Sequence, residues 1–195
     1  MIKTTRQFLY FLGISLTLCS IDLNSKENEY ADFQSVLDSS SLVFTNNKSY
    51  KRVARIKQED VDYHYAFRKE GYDGEIRISV FPSSESYEDE PSNHQLFMMS
   101  TEVVMLNIQQ PKNGELSGKF NMFPFEGVKT EFGADYGMSG LIEGNSSFSK
   151  GFKYIHVIGL WKKKVGFAYI FILFNDIKKA IPFPLDLFYS LRFRE

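Results

Sequence analysis

One cysteine, three histidines and one tryptophan are all that 195 residues contain of these types. A lone Cys19 excludes an intramolecular disulfide, a Cys-x-x-Cys redox pair and a cysteine-based metal site. His64, His94 and His156 occur in no His-Glu-x-x-His pattern, and no Gly-x-Ser-x-Gly marks a nucleophile. No metal centre and no cofactor is therefore expected. Net charge is also scarce, at a formal −1, so the whole molecule has no field to attract nucleic acid or an anionic membrane surface. Long apolar runs are missing too. A spanning helix needs roughly 20 apolar residues, and the best candidate, Phe152 to Phe174, is broken by Lys162, Lys163 and Lys164. No internal repeat is visible.

What is present is ordinary globular composition with many aromatics. Hydrophobic residues make up 43% and charged residues 24%, as in a folded domain. Nineteen Phe and eleven Tyr favour sheet with a bulky core. The length fits one domain of about 100–200 residues.

The N-terminus has the pattern of a secretory signal. Lys3 and Arg6 precede an uncharged run from Phe8 to Ile21, and the first acid is Asp22. Residues 1–20 are read as a signal peptide and 21–32 as a polar lead-in. Removing residues 1–20 leaves 21 basic against 24 acidic side chains, a net charge of −3. Cys19 at the end of the run resembles the lipidated first residue of a bacterial lipoprotein. Leu18, where a small residue is usual, departs from that pattern; the alternative is that Cys19 is discarded with the signal. The implied location is exported: periplasmic, envelope-anchored or secreted.

Residues 33–195 read as a single α+β domain, mainly antiparallel sheet covered by one main helix over about 93–110 and a short C-terminal helix marked by Leu185, Leu187, Phe188 and Leu191. The runs Phe152–Trp161 and Val165–Phe174 form a hairpin with its three lysines in water, and the second run, apolar on both alternating faces, is the central strand. Val61–Arg68 alternates, Gly71–Gly74 supplies turn residues, and Glu75–Phe81 alternates again, which predicts another hairpin. His64 and Arg68 share a face with Arg77 across from them. That face is either an anion site or solvated, and polar residues opposite a buried face favour solvation. Glu85, Glu88, Asp89 and Glu90 lack the ligand spacing of an EF-hand and read as a solvated linker. Ser92 and Gln95 offer a capping box, after which Leu96, Met99, Val103, Leu106 and Gln110 mark a helix that covers one sheet face.

Phe120–Phe125 reads as an aromatic loop and Val128–Phe132 as a short strand. The glycines at 133, 137 and 140 surround Asp135. As a functional loop this segment would offer Asp135 or Glu131 as acid, base or ligand; as structure, Asp135 caps a turn and the glycines relieve crowding. The candidate catalytic residues are thus Asp135, Glu131 and His64, and the candidate ligand contacts are Arg68, Arg77, Phe123 and Phe125.

This element order, with a helix inserted between a first hairpin and a long apolar final hairpin, resembles the small exported α/β domains of the PsbP-like family across residues 33–193. The resemblance implies a non-enzymatic accessory protein that binds a partner or sits at a membrane surface. Three function classes follow. One is an envelope-associated accessory or binding domain with a protein or lipid partner. The second is an exported hydrolase using Asp135 and His64. The third is a carrier of lipid or another hydrophobic ligand, suggested by Phe120, Phe123 and Phe125.

Overall fold

A computed structural model describes residues 32–46, 48–56, 61–83, 93–110, 118, 120–180 and 184–194. The expected signal segment, Cys19, the acidic residues 85–90 and the expected cap Ser92 lie outside them. Two compact units divide the chain, Met1–Ser35 and Val36–Glu195. The described residues of the first are helical, within a helix (α1) whose described part is 32–39. Every described strand belongs to the second.

The second unit is built on an antiparallel seven-stranded sheet. Its strands are β2 (Tyr50–Arg52), β3 (Tyr65–Lys69), β4 (Gly74–Pro82), β5 (Phe120–Met122), β6 (Tyr136–Glu143), β7 (Tyr154–Lys162) and β8 (Gly166–Phe174), in the spatial order β2-β3-β4-β8-β7-β6-β5. A second ladder joins β1 (Leu42–Phe44) to β9 (Leu191–Phe193). Helices α2 (Asn93–Ile108), α3 (Phe125–Phe132), α4 (Ser146–Ser149), α5 (Ile177–Ala180) and α6 (Leu185–Phe188) complete an α+β fold dominated by strands.

Strand β8 sits fourth of the seven and is buried along nearly its whole length. Its β-branched and aromatic residues lose little in extended backbone and pack on both sides of the pleat. The lysines before it form the turn with β7, where Lys164 takes a positive φ of 66°. Gly166 follows with φ 132°, and a Cβ there would stand 2.2 Å from the Phe81 carbonyl oxygen, so only glycine lets β8 pair with the end of β4.

Alternation gives the sheet two buried faces. On one, Tyr169, Phe171 and Leu173 of β8 join Ile155 and Val157 of β7, roofed by Met105 and Ile108 of α2 and Phe148 of α4. On the other, Phe44 of β1 lies 5.4 Å from the rings of both Tyr65 and Phe67, and Phe188 of α6 packs against His156. The β1–β9 ladder, α3 and α6 thus cover the side that α2 does not.

Several expectations are corrected. Val128–Phe132 is helical, because Pro124 at the helix start fixes a compatible φ and Gly133 ends it in the left-handed conformation, so that Val128 and Phe132 point inward one turn apart. Phe120–Met122 is a strand within the expected aromatic loop, and Gly137 and Gly140 lie inside strand β6. The last residues return as β9, which takes Leu191 out of the expected terminal helix. On α2 the stripe of Met99, Val103 and Leu106 faces outward, while Phe97, Thr101, Met105 and Ile108 are buried. That helix carries apolar residues on both sides, so spacing alone fits either stripe.

Candidate functional site

The groups nominated for acid–base chemistry are kept apart. His64 precedes β3 and Asp135 precedes β6, four inter-strand steps away in the sheet order. At about 4.8 Å per step that is about 19 Å. Neither group is idle. The Asp135 carboxylate accepts a 2.7 Å hydrogen bond from the Lys163 backbone N–H, and the Asp135 N–H donates to the Trp161 carbonyl, which pins the β7–β8 turn. His64 Nδ1 accepts from the Val80 N–H at 3.1 Å, which fixes it as an acceptor there. Burial and then the Arg55 charge hold its pKa below the ordinary imidazole value.

At the entry to β3 the His64 backbone N–H donates to the carbonyl of Ile78, the residue before Ser79, and a base this close to a hydroxyl could suggest a nucleophile. The buried Ser79 hydroxyl instead donates to the Asp62 carbonyl. His156 is lowered further, to about 4, by burial between sheet and α6. A histidine that resists protonation in this way belongs to the packing of that layer.

Arg77 overturns the expectation of a solvated face on β3 and β4. It is 1% exposed, and Glu75, two residues earlier on the same face, is 4% exposed. Arg77 Nε donates to Glu75 Oε1 at 2.8 Å, another guanidinium N–H donates to the Phe148 carbonyl, and the rings of Tyr63 and Phe148 each lie 5.0 Å from the guanidinium carbon. Phe148 from α4 and Tyr63 from the chain entering β3 close this face over the charge. The ion pair is viable because its donors and acceptors are satisfied where water cannot reach. Arg68 reaches the other Glu75 oxygen at 3.2 Å from a side chain 57% exposed. The two arginines thus share one carboxylate, Arg77 inside the fold and Arg68 at its edge.

A second cluster carries no mark in the sequence. Lys69 Nζ lies 2.5 Å from Asp186 Oδ1, and the Tyr50 hydroxyl donates to Asp186 Oδ2 at 3.1 Å. Burial and the neighbouring Asp186 charge push the Tyr50 hydroxyl well above its ordinary pKa, the direction opposite to that of an activated nucleophile. The cluster fastens α6 to β2 and β3. Sequence separations of 117 and 136 residues hide it from any local motif.

The open site lies between α3 and the terminal ladder. A cavity of about 360 Å³ is lined by Lys129, Thr130, Glu131 and Gly133 from α3 and its cap, by Val43 of β1, and by Arg192, Phe193 and Arg194. Its shape follows from the strand pattern. Leu42, Phe44, Leu191 and Phe193 alternate inward, so Val43 and its partner Arg192 face out. Gly133 takes φ 60°, and a Cβ there would meet the Phe193 carbonyl oxygen at 2.6 Å; this close approach seats α3 on β9.

Glu131, a nominated acid, lines this groove and accepts from the Tyr189 hydroxyl, which raises the Tyr189 pKa. Arg194 pairs with Asp38 at 2.5 Å. Of the nominated aromatics, Phe123 stacks on Phe132 at 5.9 Å and belongs to the packing under α3. Phe125 is 53% exposed and stands 6.0 Å from Lys129 Nζ at the edge of the groove. Sequence reading named Glu131 and Phe125 but missed Lys129, Arg192 and Arg194, which come together only through the β1–β9 pairing.

Among the described residues no three His, Cys, Asp or Glu side chains cluster as a metal site, and no helix is long and apolar enough to cross a membrane. Comparisons with protein-family profiles, curated proteins and solved structures gave no match.

Proposed function

We propose that this protein is an exported, envelope-associated accessory domain that binds a partner and has no catalytic role. This is the function that the resemblance to PsbP-like domains implies, and residues 1–20 supply the export signal. The observation that carries the reading is the separation of His64 from Asp135 by about 19 Å of sheet, each spent on a backbone hydrogen bond. General acid–base catalysis needs groups that converge on one reacting atom. The groove beside α3 offers instead cations that hold a ligand.

The competing reading, a hydrolase using Asp135 and His64, is tested by screening the processed protein for turnover of ester, peptide, glycoside and phosphoester substrates beside the Asp135→Asn, His64→Ala double variant. The expected result is no turnover that the double variant abolishes. Turnover in the parent that disappears in the variant would overturn the proposal.

A further inference from the structure

We infer that the groove between α3 and β9 is an anion site that takes a phosphate group, either free or as the headgroup of an anionic lipid. The inference rests on the reading of the protein as a binding domain and names where and what it binds.

The charges around the groove are unequal. Lys129, Arg192 and Arg194 line it against the single carboxylate of Glu131. Two of these cations have no carboxylate of their own. Arg192 stands opposite Val43 in the ladder and forms no ion pair among the described residues. Lys129 contacts only the Phe125 ring, from 6.0 Å, among its described charged and aromatic neighbours. Glu131 is engaged by the Tyr189 hydroxyl and Arg194 by Asp38.

A fourth cation borders the site, since Lys162 Nζ donates 2.6 Å to the Arg194 carbonyl and lies 5.8 Å from the Phe193 ring. Lys163 and Lys164 continue from it around the hairpin turn, both exposed. The protein's formal charge of −1 conceals this concentration, because the topology collects cations from three distant segments. A guanidinium offers paired N–H donors that match two phosphate oxygens, and a lysine beside it adds a point charge. A volume near 360 Å³ suits a group of phosphate size with part of what it is attached to. The exposed Phe125 of α3, Leu185 of α6 and Tyr189 just after α6 would meet the apolar edge of a lipid, which a free phosphate lacks.

The test measures inorganic phosphate binding by amide chemical-shift titration at constant ionic strength. In parallel, the protein is sedimented with vesicles of phosphatidylcholine alone and of phosphatidylcholine with phosphatidylglycerol. Arg192→Gln and Lys129→Gln are compared with the parent, and Lys51→Gln on β2, whose side chain pairs with Glu70, serves as the control cation. Arg192 and Lys129 are exposed, so the variants fold.

Phosphate binding weakened about tenfold by Arg192→Gln and unchanged by Lys51→Gln supports the site with a free phosphate. Binding only to the anionic vesicles, with the same dependence on Arg192, supports it with a lipid headgroup. No binding in either arm, or binding that Arg192→Gln and Lys129→Gln leave as it was, overturns the inference. Such a failure would not touch the binding-domain reading, which falls instead if a phosphoester is turned over.

Discussion

Arg77 is the residue on which one face of the sheet depends. Its charge is removed from water and, among the described residues, Glu75, the Phe148 carbonyl and two aromatic rings compensate. Removing one member of such a pair leaves the other buried and uncompensated. Arg77→Ala is expected to cost about 3–5 kcal/mol by this argument. Arg68→Ala, whose side chain is 57% exposed on the same carboxylate, is expected to cost no more than about 1 kcal/mol. Chemical denaturation of both variants checks the contrast; equal losses would show that the buried charge is not the main term. Local alternation placed Arg77 correctly on the face it shares with Arg68. It could not reveal that Phe148, 71 residues away, covers that face.

Among the elements, α2 and α3 show most clearly what local pattern carries. The long apolar runs of β7 and β8 left little choice of structure, and β4 with its flanking turn residues was equally plain. Helix α2 was legible as a helix, but not in its orientation, because Met99, Val103 and Leu106 repeat as regularly as Phe97, Thr101, Met105 and Ile108. The sheet selects between them. Met105 is fully buried whereas Val103 is 54% exposed. Met105→Ala should therefore destabilise by about 2–5 kcal/mol, and Val103→Ala by no more than about 0.5 kcal/mol. Thermal unfolding distinguishes them, and a larger loss at Val103 would reverse the assigned face. For α3, three alternating residues at Val128, Thr130 and Phe132 resembled a strand; Pro124 and the left-handed Gly133 decided otherwise.

At the scale of the whole molecule, antiparallel topology does two things that no segment does alone. It holds His64 and Asp135 at separate strands and joins Lys129, Lys162, Arg192 and Arg194 around one groove. The nominated Glu131 and Phe125 fall at that groove, while Arg77 and Phe123 are taken up by packing and the half-exposed Arg68 pairs with Glu75. Local pattern hides the cations because Leu191 continues the spacing of the terminal helix, and without the β1–β9 ladder Arg192 has no place in space.

A protein that works by binding at this groove must show its ligand there. The most direct measurement is a map of the backbone amides that shift on saturation with phosphate or with anionic lipid. The largest changes are expected on residues 129–133 and 192–194, with β3, β4 and α2 unmoved. Changes centred instead on His64 and Ser79, or spread evenly over the surface lysines, would contradict it.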